Sequence, residues 1–279
     1  MAQYRVGIIG GTGQMGKWFK RFFERHGHIV EISSRKTHLS PVDCAKNNDI
    51  VIVSVPIQVT IDVIKQVAPH VKKESLLMDL TSIKEAPVKT MLEHSRSEVI
   101  GCHPVFGPSV ASLKNQAIVL CPARGKKWLP IIQKLCESEE GKVKISTPER
   151  HDEIMAIIQG ITHFNNISLG YAIKILNADI KESLEYASPI YKLKMDMVGR
   201  ILNQDAGMYA DIEIMNPKTK EVVRKYFEAI KKLLHILETN DREGFVKYFK
   251  EASDYFGPFK REAEEYSNYT IEKLVEKKK

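Results

Sequence analysis

Cysteine is scarce in this sequence, and none of the four is placed for joint work. Cys44, Cys102, Cys121 and Cys136 form no CxxC pair and stand at no ligand spacing from a histidine. This speaks against a disulfide scaffold or a zinc site and fits reduced thiols in a cytoplasmic protein. No HExxH spacing occurs either, so no metal is expected. No apolar run approaches the roughly 20 residues that span a bilayer. The N-terminus enters a strand pattern with no leader-like apolar region, so no membrane partner is expected. Blocks of one charge sign are missing as well. Bases exceed acids for a net charge of +7, yet the signs are interleaved, and no basic run alternates with aromatics in a nucleic-acid module. Nucleic acid is therefore not an expected partner. The basic end Lys277-Lys278-Lys279 reads as a solvated tail, and the surplus charge favours anionic substrates. Internal repeats and low-complexity segments are absent.

What is present is ordinary globular material: 279 residues, 43% hydrophobic and 28% charged, enough for about two domains. Short apolar runs alternate with helical patterns through the first half. Val6–Ile9, Ile29–Ile32, Asp49–Val55, Leu76–Leu80, Glu98–Gly101, Ala117–Leu120 and Val143–Ser146 read as strands. Near-continuous apolar strands separated by helices predict an α/β domain, a doubly wound, mainly parallel sheet over residues 1–148. After Pro148 the strand pattern stops, and residues 149–279 predict an all-α domain. Its apolar faces are wider than one small domain can hide, which predicts a dimer interface.

Gly10-Gly11-Thr12-Gly13-Gln14-Met15-Gly16 lies between the first strand and a helix with Trp18, Phe19, Phe22 and Phe23 on one face. This is the dinucleotide fingerprint in its required context. Gly11 would make the tight turn, Gly13 admit the pyrophosphate and Gly16 allow close packing, with the phosphates on free amides near Gln14. The second strand ends at Ser33-Ser34-Arg35-Lys36-Thr37. An NAD site would place an acid there, whereas Ser34 and Arg35 suit a 2′-phosphate, so NADP is favoured with NAD as the alternative. Glu31 lies too early, within the strand. Gly11, Ser54, Ser82 and His103 all follow strand ends, where ligands of such sheets bind.

His103 sits in Gly101-Cys102-His103-Pro104-Val105-Phe106-Gly107-Pro108, where two prolines argue against a continuing central strand. Such a stiff turn can hold an imidazole at a fixed angle. A single helical pattern runs from Glu149 to about Asn177. His151 and His163 on it are about 120° out of phase at about 3.6 residues per turn, so they form no same-face metal pair. Arg200 lies among apolar residues, either paired with Asp196 one turn earlier or aimed at a ligand carboxylate.

These segments together resemble the prephenate dehydrogenase family, and especially the dehydrogenase half of the bifunctional chorismate mutase/prephenate dehydrogenase. Besides the glycine loop, the matching segments are Val51–Ile57, Met78–Lys84, Gly101–Pro108, His151-Asp152 through Gln159 to His163-Phe164, Ser188–Tyr191, Met197–Arg200, Gln204-Asp205 and Tyr209–Ile212. The resemblance implies a Rossmann domain joined to a helical dimerisation domain, and oxidative decarboxylation of prephenate to 4-hydroxyphenylpyruvate with hydride transfer to NAD(P), in tyrosine biosynthesis. It implies that His103 accepts the hydrogen of the substrate's C4 hydroxyl, that Ser82 orients both, and that Arg200 holds a carboxylate, with Lys84 and His163 as further substrate contacts. Thr12, Gln14, Met15, Ser54 and Pro56 join the glycines in cofactor binding. Without mutase helices before Met1 or a regulatory domain at the far end, mutase activity is expected on a separate chain, and L-tyrosine inhibition at the active site. Arogenate dehydrogenase is the nearest alternative. A hydroxyacid or imine reductase is more distant, because it would want a catalytic Lys or Asp on the long helix.

Overall fold

The computed structural model describes residues 2–276; the tail expected at Lys277–Lys279 lies outside them. The chain forms two compact units, one through Ile158 together with Gly207–Lys218, the other from Gln159–Ala206 and the chain from Thr219 onward. The division falls beyond the expected change at residue 149, and a short stretch of the helical half belongs to the first unit.

The first unit is a seven-stranded sheet, β1 (Arg5–Ile9), β2 (Ile29–Ser33), β3 (Ile50–Val53), β4 (Leu76–Asp79), β5 (Glu98–Pro104), β6 (Ala117–Arg124) and β7 (Lys142–Ile145), in the order β2-β1-β3-β4-β5-β6-β7. All neighbours are parallel except β5 and β6. Helices α1 (Gln14–Arg25), α2 (Pro41–Asn47), α3 (Ile57–Val67), α4 (Glu85–His94), α5 (Trp128–Ser138) and α6 (Pro148–Met155) connect or follow the strands.

Both faces of the sheet are covered, which is why its strands are apolar at nearly every position. Val6, Ile8, Ile50, Ile52, Leu76, Met78 and Ile100 pack with Trp18, Phe19, Phe22 and Phe23 of α1 and with Trp128 of α5. The alternate residues Ile9, Val51, Val53, Leu77 and Val99 pack with Ile64, Val67 and Met91 from α3 and α4. At about 1.5–3 kcal/mol per fully buried large apolar side chain, these two layers dominate the unit's stability.

β5 runs further than expected, through His103 to Pro104, which pairs with Ile118 of β6. The proline is tolerated because the next residue, Val105, donates to Ala117 O at 3.0 Å. In an antiparallel ladder that turns the Pro104 nitrogen away from β6, and β4 has already ended opposite Gly101. The missing donor therefore breaks no ladder bond.

The second unit is helical: α7 (Thr162–Ile175), α8 (Ile180–Glu185), α9 (Pro189–Leu202), α11 (Thr219–Glu238), α12 (Arg242–Phe256) and α13 (Phe259–Glu276), with α10 (Ala206–Met215) falling almost wholly in the first unit. The helix expected from Glu149 to Asn177 is not uniform. Ala156–Ile161 is π-helix, so the 3.6-residue arithmetic applied to His151 and His163 does not hold across it. Leu176, Ile190, Leu234, Phe249 and Tyr266 are each more than half exposed. Among the described residues no helix is long and apolar enough to cross a membrane.

Candidate active site

The glycine loop closes on β3. Gly10 has φ +85°, and a Cβ there would lie 2.0 Å from the Ser54 carbonyl oxygen. The tight turn expected at Gly11 has its left-handed residue one position earlier, at Gly10, where the backbone that follows β3 also leaves no room for a side chain; a Cβ at Gly11 would meet Ile32 Cγ2 at 2.5 Å. At Gly16 a Cβ would meet Gly10 O at 2.6 Å, so α1 packs directly on the loop. Gly13 caps α1 without a side-chain bond, which leaves the first amides of the helix at Gln14 and Met15 open to an anion. Thr12 and Met15 are half-buried and Gln14 is exposed. Ser54 is half-buried, its amide donating to Ile9 O at 2.8 Å, and Pro56 leads into α3. In a sheet of this order the switch point lies between β1 and β3, where this loop sits. These features fit a dinucleotide pyrophosphate.

Beyond β2, Ser34 accepts from Lys36 N at 3.0 Å and its carbonyl from Thr37 Oγ1 at 3.1 Å, a closed turn that leaves Arg35 and Lys36 exposed. Glu31, the one acid nearby in β2, is held by Arg5 Nη2 at 2.7 Å and Asn48 Nδ2 at 3.2 Å. It is spent within the sheet.

His103, near the end of β5, is buried, and its Nδ1 lies 2.8 Å from Nε2 of His151. His151 Nδ1 lies in turn 2.7 Å from Asp152 Oδ1. Both residues ride on the first turns of α6, which starts sharply because Thr147 caps it and Pro148 fits its first position. Asp152 also accepts from two amides at the start of α4, Lys84 N at 2.7 Å and Glu85 N at 2.9 Å. A carboxylate that accepts everywhere makes His151 Nδ1 the donor, and in a neutral His151 the other nitrogen, Nε2, accepts from His103 Nδ1. His103 Nε2 is then left with its lone pair. Burial holds the His103 imidazole well below its ordinary pKa, and the neighbouring His151 and Lys84 push the same way. The site thus presents a neutral base of fixed tautomer.

The surrounding residues sort themselves clearly. Ser82 follows β4, half-buried, with no hydrogen-bond partner among the described residues. Lys84, expected to touch substrate, is instead fully buried: its ammonium pairs with Asp79, lies 3.3 Å from Thr81 Oγ1 and donates to Cys102 O at 2.9 Å. A lysine with its donors engaged inside the core cannot also hold a ligand in this conformation. It braces the strand end beside His103. The α1 helix reaches the same loop, with Trp18 Nε1 donating to Val110 O at 2.8 Å and its ring 5.1 Å from that of Phe106.

Arg200 and His163 belong to the second unit, Arg200 exposed on α9 and His163 half-buried on α7. Asp196 is taken by Lys192 at 2.8 Å rather than by Arg200, so the intrahelical pairing that competes with a ligand role is not made. Sequence reasoning missed Asp152 and Gly10. The signal for Asp152 was its place beside a histidine in the first turns of a capped helix.

The chain matches the family model "Prephenate dehydrogenase, nucleotide-binding domain" over residues 28–145 and "Prephenate dehydrogenase, dimerization domain" over residues 147–251. It is 43% identical to a probable arogenate/prephenate dehydrogenase of Methanocaldococcus jannaschii across 95% of this chain and 64% of that protein, so it spans less than two thirds of that relative's length. It is 32% identical to the T-protein of Haemophilus influenzae across 92% of this chain and 68% of that one. Among solved structures it resembles prephenate dehydrogenase from A. aeolicus, determined with hydroxyphenyl propionate and NAD+. The TM-score is 0.73 at 19% identity, covering 91% of this chain and 98% of that one. Arogenate dehydrogenase of Synechocystis superposes with a TM-score of 0.70 at 17% identity, over 91% and 99%. At those identities the likeness is one of fold.

Proposed function

Because the chain belongs to the prephenate dehydrogenase family, we propose that it catalyses the oxidative decarboxylation of prephenate to 4-hydroxyphenylpyruvate, the step toward tyrosine, with NADP preferred over NAD. The observation that carries this reading is the His103–His151–Asp152 chain, which leaves a neutral imidazole nitrogen open at the carboxyl edge of a nucleotide-binding sheet. A nicotinamide dinucleotide supplies the hydride acceptor when bound.

His103 Nε2 takes the proton of the C4 hydroxyl as that carbon becomes a carbonyl carbon. Loss of the ring carboxylate as CO2 then gives a phenolate at the same oxygen, and His103 returns the proton to it. Ser82 would donate to the hydroxyl and hold it against the imidazole. Arg200 would grip a substrate carboxylate through its planar fork, with His163 as a further contact. On the cofactor side, Gly11, Gly13, Gly16 and the amides of Gln14 and Met15 take the pyrophosphate, while Ser34 and the exposed Arg35 take the 2′-phosphate.

The exposed apolar residues of the second unit support a homodimer through that unit. The four cysteines, free and buried, support a reducing, cytoplasmic setting. L-tyrosine, which shares the product's ring and side-chain carboxylate, would compete at the same site.

A matrix of initial rates, prephenate or arogenate against NADP or NAD, tests the reading. The highest kcat/KM is expected for prephenate with NADP. Turnover of neither substrate would overturn it, and preference for arogenate would move the activity to the amino form, which the name of the Methanocaldococcus relative also carries.

A further inference from the structure

The first unit borrows a segment from far along the chain. Gly207–Lys218 leaves the helical half and packs with the nucleotide-binding unit. Its anchors are specific: Gln58 Nε2 donates to Asp211 Oδ1 at 2.7 Å, Ile212 packs with Ile57 and Ile83, and Lys218 Nζ stands 3.9 Å from Glu85 Oε1. At the end of this segment Asn216 is buried, 3% exposed. Its Nδ2 donates to the backbone carbonyl of Asp152 at 2.9 Å, and its Oδ1 accepts from Lys218 N at 2.9 Å.

That contact falls on the residue that fixes the base. The Asp152 carboxylate has three bonds, to His151 Nδ1 and to the amides of Lys84 and Glu85, and all three require its main chain to be held. We propose that Asn216 is a positioning residue for the reaction, acting through the Asp152 main chain to hold the His151 and His103 imidazoles in the tautomer that leaves His103 Nε2 free to accept a proton.

Several features separate this from ordinary packing. A carboxamide buried to this degree is selected for its hydrogen bonds, since an apolar residue would fill the space at less desolvation cost. The Oδ1 bond to Lys218 N orients the amide, so Nδ2 and not the oxygen faces the Asp152 carbonyl. Small misplacements of a base cost much: a shift of about 1 Å lowers turnover roughly 10²-fold.

The proposal rests on the prephenate dehydrogenase reading for its kinetic arm but not for its spectroscopic one. The test compares the full chain with Asn216→Ala, Asn216→Ser, which keeps a donor, and Asn216→Asp, which keeps the shape and presents oxygen to the Asp152 carbonyl. Two quantities are read, the ¹⁵N shifts of His103 without substrate and the separate kcat and KM for prephenate. Wild type should give one tautomer, protonated at Nδ1. Asn216→Ala and Asn216→Asp should give a mixture, with kcat down about 10–100-fold and KM within about 3-fold, and Asn216→Ser should restore most of both. An unchanged His103 tautomer in folded Asn216→Asp would overturn the proposal, as would loss of KM in place of kcat. Should the wild type turn over no prephenate, the functional reading fails, while the tautomer measurement still decides the role of Asn216. Asn216→Asp and Asn216→Ser keep the question open to decision should the alanine variant not fold.

Discussion

Asp152→Asn is the sharpest perturbation of the site, because it removes one charge and leaves the shape. In the folded protein the carboxylate accepts at Oδ1 from Lys84 N and His151 Nδ1, and at Oδ2 from Glu85 N. An amide can satisfy only one side. With its NH2 toward Glu85, one buried backbone donor loses its acceptor. With its NH2 toward Lys84 and His151, the Lys84 amide is orphaned and His151 must turn to its other tautomer, so that His103 Nδ1 accepts and Nε2 carries the hydrogen. Either way a charge-assisted bond is lost and a buried donor is stranded, about 2–4 kcal/mol. For a domain of this size that is a fall in Tm of about 4–16 °C. In the second orientation the base is blocked. The corresponding change in a Ser-His-Asp triad lowers turnover about 10⁴-fold, and a range of about 10²–10⁴ is expected here. Thermal melts and initial rates with saturating prephenate measure both effects, with KM within a few-fold of wild type. A kcat within about 5-fold of wild type in a folded variant would refute the tautomer chain.

Other expectations follow from single contacts. Because burial depresses the His103 pKa, the acid limb of kcat/KM should fall below the ordinary imidazole value of about 6.5. Stability should also decline as pH drops below about 6.5, since the unfolded chain then binds a proton that the folded one refuses; a limb at or above 6.5 would contradict the burial argument. Lys84→Met strands the buried Asp79 carboxylate and should cost about 3–5 kcal/mol in denaturant unfolding, whereas a loss below about 1 kcal/mol would mean that the pair is not held. Gly10→Ala drives a methyl group against Ser54 O and should abolish dinucleotide binding, measured by fluorescence titration; retained affinity would show that the loop yields. Arg35→Ala should weaken NADP at least 10-fold more than NAD, about 1.4 kcal/mol of discrimination, and equal losses would remove the 2′-phosphate contact.

Much of the nucleotide-binding unit is legible in the sequence because it is written locally. The strand runs, the glycine loop and the Trp18–Phe23 face each reflect neighbours within a turn or two. What escaped depends on partners brought in from elsewhere. The left-handed residue of the tight turn is Gly10, and the Ser54 carbonyl just beyond β3, far away in sequence, is what excludes a Cβ there. Pro104 sits in β5 because β4 ends early, which no rule about proline alone foresees. His151 beside Asp152 is an unremarkable dipeptide until α6 is laid against the first amides of α4. Lys84 looks like a ligand contact beside Ser82, and only the apposition of β4 and β5 turns its ammonium inward to Asp79 and the Cys102 carbonyl. The π-turn at Ala156–Ile161 leaves the apolar spacing of a helix nearly undisturbed, so periodicity passes over it.

The path of the chain has a practical corollary for dissecting this molecule. Since Gly207–Lys218 is folded into the first unit while Gln159–Ala206 and the chain from Thr219 onward are not, the polypeptide passes from one unit to the other three times. No single cut releases either unit whole. A fragment ending where the strand pattern stops would carry the glycine loop and His103 yet lack Ile212 and Asn216, and it would lose His151 and Asp152 as well. A dinucleotide-binding fragment of this protein therefore calls for a spliced design in which residues 207–218 are joined back after Ile158 through a linker. Exchange of the helical half as a cassette would likewise have to respect all three junctions, at 158/159, 206/207 and 218/219.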